Sequence, residues 1–109
     1  MRDEYEIESP LAYGPGDPVT VSVSHREQAI TVSDDGRAIE RAGAPQGWRL
    51  AADRVVSELD VNVSRHGVVS LPVVRVGPGE EAIVRRIAEA SLALYQELLE
   101  LSCDARARA

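Results

Sequence analysis

Apolar and polar residues alternate with period two in three stretches of the chain and recur at helical spacing in two others. In PVTVSVS, Val19, Val21 and Val23 alternate with Thr20, Ser22 and Ser24, and in QAITVSDDG, Ile30 and Val32 continue the pattern. His25, Arg26, Glu27 and Gln28 between them are few enough for a hairpin connection. Val61 and Val63 alternate again, Ser64 to Gly67 reads as a turn, and the run from Val68 to Val76 is rich in β-branched residues. Pro72 inside that run asks for an edge position or a strand end. The pattern predicts strands over 18–24, 29–34, 61–64 and 67–74, paired as two hairpins of a small antiparallel sheet. Val19, Val21, Val23, Ile30, Val32, Val61 and Val63 are the residues expected on its buried side.

A short helix is expected over 37–43, stopped by Gly43 and Pro45, and a second over 48–59, where Trp48, Ala52, Val55, Val56 and Leu59 share a face. The third, over 79–101, is the longest and the most unusual. Its apolar residues fill an arc of about 200° when stepped at 100° per residue, and an arc of about 100° suffices for a helix lying on one surface. Such a helix needs cover on two sides. Ala88, Leu92, Tyr95 and Leu99 recur along one border of the arc at the spacing of a helix seam, so they are the interface candidates for a homodimer. The alternative cover is intramolecular, from the Tyr5 and Ile7 segment or from the helix carrying Trp48.

These elements make an α+β fold, with a single domain over 18–101 and a frayed tail over 102–109. Residues 1–17 are acidic and interrupted by Pro10, Gly14, Pro15 and Gly16, which reads as an N-terminal arm. Glu4 to Glu8 nevertheless alternate, so the same segment also reads as a short edge strand.

Composition narrows the function classes. With 109 residues and no Phe, the core must be built from Val, Leu, Ile and Ala. All 12 basic residues are Arg, which fits a bacterial coding bias and removes Schiff-base and phosphate-loop lysines from consideration. A net charge of −6 disfavours nucleic acid and anionic lipid surfaces as partners. Neither a leader nor a membrane span is visible, so the expected location is the cytoplasm. The one cysteine, Cys103, allows no internal disulfide and no multi-cysteine metal site, and no cofactor is expected.

Candidate chemistry is sparse. Asp17, Asp34 and Asp35 are expected near the open end of the first hairpin, where clustered carboxylates could hold Mg²⁺ or Ca²⁺. The plainer reading makes Asp34, Asp35 and Gly36 a structural turn that starts the first helix, with Gly36 at positive φ. His25 and His66 fall in expected turns, beside Ser24 and Ser64, where a base is seldom held rigidly. Trp48, the only Trp, reads as a core plug before it reads as an interface anchor.

Ser33, Asp34, Asp35, Gly36, Ile39 and Gly43, followed by a helix over 87–98, resemble a bacterial and phage family of small domains of unknown function. That resemblance spans residues 18–101 and implies the order strand, S/T-D-D-G turn, short helix, second helix, hairpin and C-terminal helix. This chain departs from it at 44–48, which is longer, and at its N-terminus, where the family carries a helix. It implies no activity. Size, charge and the wide helix face together point to a non-catalytic module acting through protein contacts, and the alternative is a small metal-dependent hydrolase using the three aspartates.

Overall fold

The computed structural model describes residues 3–26, 29–73 and 80–108. Five strands and three helices follow in the order β1 (Asp3–Gly14), β2 (Asp17–Arg26), β3 (Ala29–Ser33), α1 (Arg37–Ala42), α2 (Trp48–Leu59), β4 (Asn62–Val63), β5 (Val69–Val73) and α3 (Glu80–Arg108). The strands form one antiparallel sheet, ordered β1-β2-β3-β5-β4. The two expected hairpins are joined through β3 and β5, so the architecture is α+β as the alternation implies.

Period-two alternation sorts the strands into two faces. Val19, Val21, Val23 and Val32 are fully buried beneath the helices, with Ile30, Val61 and Val69 beside them and Val63 half-buried. The other face carries mostly polar residues. One cross-strand row reads Glu6, Ser22, Ser33, Ser70 and Asn62, from one edge of the sheet to the other. Burial on one face only is what an antiparallel sheet with a single helical layer requires.

The N-terminal segment differs from an arm. Residues 3–14 form a 12-residue strand, the longest in the sheet, paired with β2 from Asp3↔His25 to Gly14↔Asp17. The breakers that suggested an arm have other jobs. Pro10 falls in a register irregularity between Glu8 and Ala12, on an edge strand where a missing N–H is tolerated, and Pro15 and Gly16 make the tight turn into β2. Pro72 is also explained by register, because β4 reaches only Ser70 and leaves β5 with a single neighbour, β3, beyond it. The expected turn residues Glu27 and Gln28, the strand end at Val74 and the helix start at Gly79 lie outside the described residues.

The third helix continues to Arg108, so the expected tail over 102–109 is helical up to that residue. Most of its apolar arc is covered within the chain. Ile87, Ala88, Ala90, Leu94 and Leu98 are fully buried, with the sheet beneath them and α1 and α2 packed alongside. The added cover comes from β1, whose Tyr13 packs edge-on against Tyr95 with ring centroids 5.1 Å apart. This relocates the candidate seam: Ala88 is sealed inside the protomer, Leu92 and Tyr95 are half-buried against the core, and of the four only Leu99 is classed as exposed.

Candidate functional site

The turn after β3 places two adjacent aspartates in opposite environments. Asp34 points inward and is fully buried, whereas Asp35, with φ +53°, points to the polar sheet face. One Asp34 oxygen, Oδ1, accepts the backbone N–H of Gly36 and that of Val69, both at 2.9 Å. Its other oxygen, Oδ2, accepts the hydroxyl of Ser91 at 2.7 Å. Ser91 is fully buried on α3 and lies 2.6 Å from the hydroxyl of Tyr13. Because the Ser91 proton is directed at the carboxylate, the Tyr13 hydroxyl donates to Ser91, and the chain of bonds runs Tyr13 to Ser91 to Asp34.

This relay ties together β1, the turn after β3, β5 and α3. Burial pushes the Asp34 carboxyl above its ordinary range, opposed by the Ser91 hydroxyl and by the backbone N–H groups. The same cause raises the Tyr13 phenol, helped by the nearby Asp34 charge and opposed by the Ser91 hydrogen bond and by Arg41 and Arg37. The Arg41 guanidinium lies over the Tyr13 ring, 4.6 Å from its centroid. Asp34, Ser91 and Tyr13 are all shielded from solvent, so a substrate has no direct approach to the serine.

The remaining aspartates have separate partners. Asp35 accepts the hydroxyls of Ser22 and Ser33 on the polar face. Arg37 bridges that face, donating to the Thr20 carbonyl at 2.8 Å and to Glu6 at 2.7 Å. Asp17 takes both arms of Arg41, at 2.7 and 2.9 Å, which holds its carboxyl below the ordinary range. Asp17, Asp34 and Asp35 are thus turned toward three different sets of donors, and among the described residues no three His, Cys, Asp or Glu side chains are grouped as metal ligands. The structural turn takes the expected form: Gly36 has φ +74°, and Asp34 accepts its N–H at the start of α1.

Neither histidine meets a serine in a catalytic arrangement. His25 stacks on Tyr5 at the far end of β1 and β2, and Ser24 donates to Glu4. The Ser64 hydroxyl accepts the N–H groups of His66 and Val68, closing the turn before β5. Trp48 is half-buried against the core, with the Arg49 guanidinium 5.0 Å from its ring centroid.

Two surface features stand out. A groove of about 520 Å³ lies between the outermost strand, at Tyr5, Ile7 and Pro10, and the first turns of α3, at Glu81, Val84 and Arg85. A smaller one, about 190 Å³, lies between α2 and α3 and is rimmed by Leu50, which is 68% exposed. Within it the Glu97 Oε2 atom is buried with no hydrogen-bond partner among the described residues, while Oε1 stands 3.8 Å from Arg54.

Sequence reasoning missed Ser91 and Tyr13. The signal for Ser91 was a hydroxyl in the middle of an apolar helix arc, where a buried polar atom needs a partner. The matching signal for Asp34, a carboxylate following an inward-facing valine by two residues, was masked by its usual role in turns. The chain matches no family model, no curated protein and no solved structure.

Proposed function

We propose that this chain is a non-catalytic protein-binding or regulatory module that works through protein–protein contacts. The observation that carries the reading is the pairing of Leu50, largely in water, with a Glu97 oxygen that is desolvated and has no donor among the described residues. A buried acceptor without a hydrogen bond costs about 1–3 kcal/mol, and a partner that covers Leu50 while bringing a donor to Glu97 relieves both defects at once. A second copy of the chain is one partner this surface admits, through a homodimer in which α2 and α3 meet their symmetry mates.

A photo-reactive benzophenone amino acid at position 50, with exposed Glu58 as the control position, tests the reading in cells of the producing organism. Discrete cross-linked adducts at 50 and none at 58 are expected. Light scattering on the purified protein and on Leu50→Glu then separates a homodimer from a different partner. Absence of adducts, together with a monomeric mass and a raised melting temperature in Mg²⁺ or Ca²⁺, would favour the metal-dependent hydrolase instead.

A further inference from the structure

The outer edge of β1 combines three properties. It is the terminal strand of the sheet, and among the described residues no strand pairs with its far side. Asp3 to Glu8 hold an uninterrupted register with β2, so this stretch is regular enough to template another strand. The groove of about 520 Å³ runs beside it on the helical side, floored by half-buried Ile7 and by Val84.

Charge decides what fits there. Glu4, Glu6 and Glu8 alternate onto the opposite, polar face of the same strand and are exposed, with Glu6 held by Arg37 and Glu8 also bordering the groove. Charged residues on an edge ordinarily guard it against pairing. A guard alone does not call for a groove with Tyr5, Ile7, Pro10 and Val84 in its lining on the other side of the strand. A second copy is a poor occupant, because antiparallel pairing of two β1 edges about Tyr5, Glu6 or Ile7 sets glutamates of the two copies opposite one another, and like charges directly opposed destabilise a strand pair. A net charge of −6 adds to that repulsion.

We infer that β1 takes up an extended peptide segment as a sixth strand, one in which apolar residues alternate with Arg or Lys. The apolar set enters the groove between β1 and α3, and the basic set lies beside Glu4 and Glu8. Backbone hydrogen bonds supply affinity and the period-two side chains supply specificity, the mode of strand addition to an open edge. This inference rests on the reading of the chain as a protein-binding module and names a partner chemistry for it.

The test uses a fluorescein-labelled ten-residue peptide of alternating Val and Lys, a Val and Glu counterpart, and a block peptide with the Lys composition but all valines first. Anisotropy at low salt is expected to show the alternating Val and Lys peptide bound at least tenfold more tightly than the other two. Glu4→Lys with Glu8→Lys, exposed positions whose change leaves the Glu6–Arg37 pair intact, is expected to reverse the preference toward the Val and Glu peptide. Amide exchange in residues 4–8 is expected to slow on binding. Failure of the alternating peptide to bind, equal binding of the block peptide, or binding without protection of β1 overturns the inference. So does protection of β1 that rises with protein concentration alone, which assigns the edge to a second copy. Adducts at position 50 are scored separately, so the module reading stands or falls independently of this edge.

Discussion

Replacing Asp34 by alanine removes the acceptor of two backbone N–H groups and one hydroxyl in a fully buried position. Ser91 can turn its proton toward Tyr13, but the N–H groups of Gly36 and Val69 cannot turn. Two stranded buried donors at about 1–3 kcal/mol each give an expected loss of about 2–6 kcal/mol, a large part of the roughly 5–15 kcal/mol that holds a domain of this size. Asn at the same place keeps an oxygen for both N–H groups and donates its amide to Ser91, whose hydroxyl then serves Tyr13. Asp34→Asn is therefore expected to lie within about 1 kcal/mol of wild type. The two variants also separate by pH. The folded Asp34 carboxyl is held above its ordinary 3.8, so the folded chain binds that proton more readily than the unfolded one. Its contribution is full below 3.8, is lost as pH rises through the raised folded value, and is level beyond it. Urea unfolding followed by far-UV circular dichroism between pH 3.5 and 8 would show wild type losing stability relative to Asp34→Asn across that rise. An Asp34→Ala variant within about 0.5 kcal/mol of wild type, or a wild type and Asp34→Asn with parallel pH profiles, would refute the argument.

Three further outcomes are expected. Tyr13→Phe removes the outer donor of the relay and is expected to cost about 1 kcal/mol in the same unfolding assay. Gly36→Val forces a β-branched residue to φ +74° and is expected to lower stability by about 1 kcal/mol or more, seen as a lower melting temperature. At Gly67, φ is +83° and an added Cβ would stand 2.5 Å from Ile39 Cδ1 and 3.0 Å from Ile39 Cβ. Gly67→Ala is thus expected to cost about 2 kcal/mol or more, and Ile39→Ala in the same chain is expected to recover part of the loss, the sign that crowding adds to backbone strain.

What the sequence made legible was local. Val19, Val21, Val23 and Val32 announced their face because burial on one side of a strand leaves a period-two trace, and the helices at 48–59 and beyond Glu80 left a periodic one. Long-range relations left no such trace. Nothing near Pro10 or Gly14 says that residues 3–14 pair with β2, because alternation in Glu4 to Glu8 is equally compatible with a solvated acidic segment. For the same reason the wide arc of α3 asked for cover on two sides and left a second protomer, the Tyr5 and Ile7 segment and the Trp48 helix as alternatives, whereas the structure packs α1, α2 and β1 against it, with Tyr13 of the first strand meeting Tyr95. Asp34 shows the limit most clearly, since one motif served both as a turn signal and as the inner end of a buried polar relay.

Tyr13 and Ser91 stand 78 positions apart, and the carboxylate they serve lies between them in the chain. During synthesis the first strand leaves the ribosome long before the residue that its hydroxyl must meet, and Asp34 waits as well for Val69. A growing chain that stops short of α3 has an inward-facing acid with no hydroxyl to receive, so this polar relay closes only once Ser91 has been made. Closure over that many residues also places folding toward the slower end of the range for small domains. Until it occurs, β1 and β2 present a hairpin whose valine face has no helix above it, and the glutamates along its edge keep neighbouring nascent chains from joining it.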